Sequence, residues 1–471
     1  MMLINKVLKQ ILLIILFLKA SVFPQTSEFI KGVDISFIPQ IEDLGGTYYL
    51  NGVATDPLEI FTQNDINYIR LRLWHSPTNN YCGLQETLDM AERIKQSGAK
   101  FLLNFHYSDT WADPGNQEKP EAWDTLTYQE LVDSIYSYTF NVIHAFDSIN
   151  ALPDMVQIGN EIIGGFLWPE GRVGGSYNTT QQWQQFTNLL KTARNAVLDA
   201  VPDSTIPIMI HIDRGADNSG SRWFFDNLNS YQVPFDIIGQ SFYPWWHGTL
   251  TDLTQNINDL ATRYNKEIIV VEVAYPWTLQ YEDNHNNFVW QNSQLHPGYP
   301  ASVTGQFNFL CDLIGIIKDV PNNKGIGVFY WAPEYVSIQP IGSPWENLTL
   351  FNFNNSALSS MAAFHDSVST FYEEEENKIY DFKLHQNFPN PFNPVTRINY
   401  ELLQSANVKL IVYNSLGEEI NILLDEEKNA GEYSIEWNGK DANNNSLPSG
   451  IYLIKLITEN KSTSIKAILL K

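Results

Sequence analysis

Two glutamates end two apolar runs. Glu161 closes Met155-Val-Gln-Ile-Gly-Asn-Glu161, and Glu272 closes Ile268-Ile-Val-Val-Glu272. Short runs that are apolar throughout read as strands buried on both faces, as in a parallel sheet. A carboxylate at the carboxyl end of a barrel strand stands on the catalytic face. Two such carboxylates on one cleft are the minimum equipment for hydrolysing a glycosidic bond. One protonates the leaving oxygen, and the other attacks the anomeric carbon or activates water. A lone strand-end Glu more often caps a helix or pairs with an arginine. This pair departs from that pattern because both residues sit among aromatics.

Three further segments gather rings and polar groups behind apolar runs. The first is 104–117, with Asn104, His106 and Trp111. The second is 241–247, with Tyr243 and two tryptophans. The third is 331–334, which opens on Trp331. Sugar sites need this mixture, because flat rings stack on pyranose faces while His, Asn, Asp and Arg bond the hydroxyls. Of 471 residues, 13% are aromatic, 13 of them Trp. Lys+Arg 29 against Asp+Glu 53 leaves a formal charge of −24. That excess argues against nucleic acid and anionic membranes as partners and fits a neutral substrate.

The elements that must position these groups recur in order. Strand-like runs are expected at 32–35, 68–73, 101–105, 155–158, 206–211, 235–239, 268–271 and 325–330. Helix-like segments with one apolar face lie between them, at 84–97, 183–200 and 253–264. Alternating strands and helices imply parallel strands with right-handed crossovers. Eight such units predict an α/β fold, a (β/α)₈ TIM barrel. No glycine-rich phosphate loop follows the first strand, which removes the signature of an open dinucleotide-binding sheet. Past the acidic run 373–376 the texture changes to short alternating runs at 397–402, 408–413, 433–437 and 451–456, separated by Asn, Gly and Pro turns. This predicts a small all-β, Ig-like sandwich. The expected organisation is a signal peptide at 1–25, a barrel at 28–371, an acidic linker at 372–380 and the sandwich at 381–471.

The signal peptide is read from Lys6 and Lys9 ahead of the apolar stretch 11–18, with small residues after it. The stretch is too short to span a membrane comfortably. Only Cys82 and Cys311 carry thiols, and their pairing is left open.

Several stretches resemble glycoside hydrolase family 53, the arabinogalactan endo-β-1,4-galactanases. They are Lys31-Gly-Val-Asp-Ile-Ser36, Arg70-Leu-Arg-Leu-Trp74, Phe105-His-Tyr-Ser-Asp-Thr-Trp-Ala-Asp-Pro114, Gln157-Ile-Gly-Asn-Glu161, Gly239-Gln-Ser-Phe-Tyr-Pro244 and Glu272-Val-Ala-Tyr-Pro-Trp277. The resemblance implies a retaining enzyme with Glu161 as general acid/base and Glu272 as nucleophile. It implies no organic cofactor and β-1,4-galactan, a pectin side chain, as partner. The substrate-binding set drawn from these stretches and the loop segments is Asp34, Arg70, His106, Trp111, Asn160, Tyr243, Trp277 and Trp331. Asn160 is expected to bond the sugar 2-hydroxyl and Tyr243 to orient the nucleophile. Glu272 needs a cationic donor. Arg70 or Arg72 could supply it, and the family pattern favours Arg70. Two positions depart from the family: Asn104, where Asp is frequent, and Val273, where Thr is frequent.

Asp283, His285 and Asn287 alternate as in part of a calcium loop of some family members, so they are the candidate ligands of a structural Ca²⁺. Tyr281 stands where a further Asp would be expected, so a solvated polar loop is the favoured reading of the segment. The tail resembles the C-terminal sorting domain of the type IX secretion system through Leu384-His-Gln-Asn-Phe-Pro-Asn-Pro-Phe-Asn-Pro-Val-Thr-Arg-Ile398, Tyr413-Asn-Ser-Leu-Gly417 and Pro448-Ser-Gly-Ile-Tyr-Leu453. That implies the type IX machinery as partner, passage through the periplasm to the exterior or cell surface, and no membrane span in the mature protein. Competing expectations are another β-1,4-glycanase acting on mannan, xylan or glucan, and a polysaccharide-binding protein without catalysis. A sugar-binding sandwich would need exposed rings, for which Trp437 is the candidate.

Overall fold

The computed structural model describes residues 28–365 and 382–470, except 386, 388, 403–404, 415–417 and 459–461. The expected signal peptide and acidic linker lie outside the described residues. The chain divides into two compact units, 1–369 and 370–471.

The first unit is a closed parallel barrel. Its strands are β1 Ile30–Asp34, β2 Tyr68–Leu73, β3 Lys100–Phe105, β4 Met155–Ile158, β5 Ile208–Ile212, β6 Ile237–Phe242, β7 Glu267–Val273 and β8 Gly325–Trp331, each paired with its sequence neighbours, and β1 with β8. Every position of β2 and β4–β6 is buried, as continuous apolar runs require. One set of side chains fills the barrel interior: Ile30, Tyr68, Leu102, Met155, Met209, Ile237, Ile269, Val271 and Phe329. The alternate set packs outward against the helices. Gly32 on β1 makes room for this interior. A Cβ there would stand 2.3 Å from the buried Phe329 ring.

The helices start earlier than apolar periodicity suggests. Thr180–Ala200 and Leu250–Tyr264 begin three residues ahead of the expected 183 and 253. Thr179 and Thr249 cap them, each side chain accepting a backbone N–H of the first turn. The helices Tyr128–Ser148, Asn218–Ser230 and Val303–Lys318 complete most of the outer ring. Among the described residues no helix is long and apolar enough to cross a membrane.

The second unit holds two antiparallel sheets. Its strands are β9 Phe382–Leu384, β10 Thr396–Leu402, β11 Ala406–Tyr413, β12 Glu419–Lys428, β13 Gly431–Trp437, β14 Gly450–Ile457 and β15 Ser462–Leu469. One sheet has the order β9-β10-β13 and the other β12-β11-β14-β15. Three strands escaped the sequence reading. β9 has only three residues, β12 buries no residue fully, and β15 alternates only in its last half. Trp437 is no sugar platform: it is 1% exposed, and its Nε1 donates to the Lys440 carbonyl at 3.0 Å. The Asn- and Pro-rich opening is bonded into this unit. Asn387 Nδ2 donates to Thr396 Oγ1, and Asn390 exchanges bonds with Lys466 and Ile468 on β15, all at 2.8 Å.

Candidate active site

Strand register brings the polar residues to one end of the barrel. Asp34 at the end of β1 is the direct neighbour of Arg70 on β2, and Ser241 on β6 is the neighbour of Glu272 on β7. After β4 the chain turns sharply. Gly159 lies at φ +77° and Glu161 at φ 49°, ψ 48°, a left-handed conformation that non-glycine residues seldom adopt. Such strain costs about 1–3 kcal/mol and persists where the surroundings enforce it, typically at functional sites.

Arg70 organises the site. It is 0% exposed. Its Nη1 donates to Asp34 Oδ2 at 2.9 Å and to Glu272 Oε1 at 2.8 Å, its Nη2 to Asn160 Oδ1 at 2.8 Å, and its Nε to Gln157 Oε1 at 3.2 Å. The arginine therefore orients residues from β1, β4 and β7 at once. Lysine could not do this, since only the planar guanidinium offers five donors in a fixed fork. Asp34 turns its other oxygen to Ser36 Oγ, 2.7 Å away. Asp34 and Arg70 thus spend most of their bonds inside the protein and position their partners, while both also border the cleft. Between the two arginines left open by the sequence, the donor to Glu272 is Arg70. Arg72, one inward position further along β2, instead donates to Cys82 Sγ at 3.1 Å and lies 4.1 Å from the Phe37 ring and 4.2 Å from the Trp111 ring. Both cysteines are free thiols.

The two carboxyls have unlike surroundings. Burial raises both pKa values. At Glu272 this push is opposed by Arg70 and by the Tyr243 hydroxyl, which donates to Oε2 at 3.0 Å. Tyr243 keeps its proton, because burial and then Glu272 and Glu161 push its pKa well above the usual phenol range. Glu161 has no cation bonded to it. After burial, the charges of Glu272 and Asp213 raise its pKa further, well above the carboxylate range. A proton shared by the pair therefore rests on Glu161.

A chain of hydrogen bonds also reaches this acid. Ser241 Oγ donates to Glu161 Oε1 at 2.6 Å. The Ser241 oxygen must then accept from His211 Nε2, 2.8 Å away. His211 Nδ1 accepts from Gln157 Nε2 at 3.0 Å and from the Glu161 backbone N–H at 3.4 Å. His211 is neutral, since burial and the nearby Arg70 hold its pKa well below the usual value. With His211 protonated on Nε2, the bonds Gln157 to His211 to Ser241 to Glu161 run in one direction and leave Oε2 for the acid proton.

These groups line a cleft of about 870 Å³. Asp34, Arg70, His106, Trp111, Asn160, Tyr243 and Trp331 of the expected set all border it. His106 Nδ1 accepts from Trp74 Nε1 and the Ala112 N–H, so its proton sits on Nε2. Asn160 commits one Nδ2 hydrogen to the Ala112 carbonyl at 2.9 Å and keeps the other. Trp277 is not part of the cleft. The chain turns back after β7, so its Nε1 donates to the Glu346 carbonyl at 3.3 Å and its ring packs 4.7 Å from Phe353. Trp246, in the expected segment 241–247, also borders the cleft, and Phe37, Asp213 and Trp345 join its wall without having been expected there. Asn104, the departure from Asp, donates to Asn160 Oδ1 at 3.2 Å, a bond that a carboxylate could not make.

The alternation at 283–287 is accounted for by bonds to its own backbone and to the segment 337–346. Asp283 accepts from the His285 N–H at 2.6 Å, the Ser337 hydroxyl at 2.7 Å and the Ser343 N–H at 2.8 Å. Asn287 Nδ2 turns to Glu346 and Gln280. Asn287 Oδ1 is buried without a partner, but one carbonyl oxygen falls short of the six or more that calcium gathers. Among the described residues no cluster of three or more His, Cys, Asp or Glu is placed to hold a metal ion.

Comparison with known proteins places both units. Residues 30–364 match the model of glycosyl hydrolase family 53, and residues 393–462 match the FlgD Ig-like domain. An uncharacterized protein of the bgaB 5′ region in Niallia circulans is 48% identical over 358 residues, covering 74% of this chain and 97% of that protein. The arabinogalactan endo-β-1,4-galactanase of Cellvibrio japonicus is 34% identical over 346 residues, covering 71% and 90%. Among solved structures, the GH53 catalytic domain of Ignisphaera aggregans superposes with a TM-score of 0.68 at 42% identity, covering 73% of this chain and 97% of that one.

The charge of Asp213 helps keep Glu161 protonated, so Asp213→Asn should lower the Glu161 pKa. The alkaline limb of kcat/KM against pH, where the acid loses its proton, should then move to lower pH. A limb that stays put or moves upward would contradict this electrostatic assignment.

Proposed function

We infer the activity from a plain premise: the chain belongs to glycosyl hydrolase family 53. It is a glycoside hydrolase, and its substrate on this reading is β-1,4-galactan, cut within the chain. The observation that carries the reading is the unequal treatment of two carboxyls on one cleft. Glu272 is bonded by a guanidinium and a phenol, and Glu161 by one serine hydroxyl.

We propose a retaining double displacement. Glu272 attacks the anomeric carbon while Glu161 Oε2 gives its proton to the leaving oxygen. A galactosyl ester on Glu272 forms, and the bond to the leaving sugar breaks. Glu161, now ionised, takes a proton from water, whose oxygen attacks the same carbon from the face the leaving group vacated while the ester bond breaks and Glu272 leaves as carboxylate. Two inversions restore the β configuration. The free Asn160 N–H is available to the sugar 2-hydroxyl, a bond that strengthens in the transition state. No organic cofactor is required, since the two carboxyls supply nucleophile and proton. Pectin galactan as the natural source follows from the same reading.

For the tail we propose the role of a type IX sorting domain, with secretion or surface display of the enzyme and no part in catalysis. Its support is the Asn387–Pro394 opening and a core of its own around Ile398, Leu410, Ile454 and Trp437.

Glu272→Ala should abolish galactan hydrolysis without loss of fold. Glu161→Ala should be nearly as severe, yet recover on aryl galactosides whose leaving groups need little protonation. Proton NMR of the first products should show the β-anomer. An initial α-product, or near-native rates in either variant, would overturn the double displacement. A chain ending at Tyr372 should retain kcat on soluble galactan, and loss of most activity would give the tail a catalytic or structural part.

A further inference from the structure

Beside the main cleft lies a second concavity of about 450 Å³. It shares Pro114 and Arg214 with the cleft and borders the turn immediately after Glu161, at Ile163 and Gly164. Arg172 stands in its wall. The guanidinium carbon lies 4.1 Å from the Trp168 ring centroid and 4.5 Å from that of Tyr177. Trp168 is itself held by its Nε1, which donates to the Gly164 carbonyl at 3.0 Å. Among the described residues the Arg172 guanidinium makes no hydrogen bond or ion pair, and no carboxylate lines the concavity. A charged group is thus fixed by two rings, with its donors unspent, in a depression continuous with the active site.

The position of this depression relative to the reaction is set by the barrel. Glu161 must stand at the oxygen of the leaving sugar, so the leaving half of a polysaccharide lies over the loop after β4. In the closed strand order β4 is diametrically across from β8. Trp331 and Trp345, which follow from β8, therefore line the other half of the cleft.

We propose that this concavity binds the leaving-group arm of the β-1,4-galactan chain, beyond the first galactosyl unit past the scissile bond. The Arg172 fork donates to sugar hydroxyls while Trp168 and Trp223 offer ring surface. The inference rests on the galactanase reading and deepens it. It predicts that binding energy from remote sugars is collected on the acid side of the cleft, where it helps long substrates and does nothing for short leaving groups.

The test compares β-1,4-galactohexaose with an aryl β-galactobioside, whose leaving group is a single ring. Arg172→Ala should lower kcat/KM on the hexaose about tenfold, the loss expected for a charge-assisted bond. The aryl substrate should be hydrolysed at the wild-type rate, which also shows the variant to be folded. Arg172→Lys keeps the stem and charge but loses the fork, so it should show the same selective loss at smaller size. It decides the matter if the alanine variant is unstable. Equal loss on both substrates, or none on either, overturns the proposal. A wild-type enzyme inactive on the hexaose would instead overturn the galactanase reading itself.

Discussion

One guanidinium, buried among two carboxylates and two amides, holds this active site together. Taking Arg70, Asp34 and Glu272 out of water is costly, and only close pairing with full hydrogen bonding offsets it. Here the offset is nearly complete: four of the five Arg70 donors meet oxygens at 2.8–3.2 Å. Removing Arg70 would strand two buried carboxylates in the barrel mouth. Stability and catalytic geometry are thus the same set of bonds, made between strands that a closed barrel keeps in fixed register.

That constraint divides labour between two chemically identical groups. Glu272 faces the guanidinium and stays the better anion. Glu161 faces neutral donors and the negative charges of Glu272 and Asp213, so it is the better acid. The left-handed turn at Gly159 and Glu161 serves the same division. It drops Asn160 onto the arginine and leaves Glu161 with the serine relay from β5 and β6. The acid is also placed beside the concavity that we assign to the departing sugars.

Much of this was legible in the sequence, for identifiable reasons. The eight strands announce themselves because both faces of a parallel barrel are buried, and the two glutamates because they break apolar runs where strands end. What failed was whatever depends on non-local geometry. Trp277 lies in a stretch typical of the family, yet its ring is turned under the loop by bonds to residues 346 and 347, seventy positions away. Arg70 was legible as the donor to Glu272, but its further bonds to Asp34, Gln157 and Asn160 were not, because sequence shows which residues are polar and not which partners their bonds reach. The Gln157–His211–Ser241 relay draws on three strands and has no local signature. Helix starts were read late because the caps at Thr179 and Thr249 come one turn before the main apolar repeat. In the tail, β12 was missed because an exposed edge strand has no apolar face to betray it.

The central claim is that at rest one proton is on Glu161 Oε2 and none is on Glu272. Neutron diffraction from deuterium-exchanged crystals of the unliganded enzyme, grown near neutral pH, locates that proton directly. A deuteron on Glu161 Oε2, with Ser241 donating to Oε1 and Glu272 bare, is the predicted result. A deuteron on Glu272, or a bare Glu161, would contradict the division of roles built on Arg70.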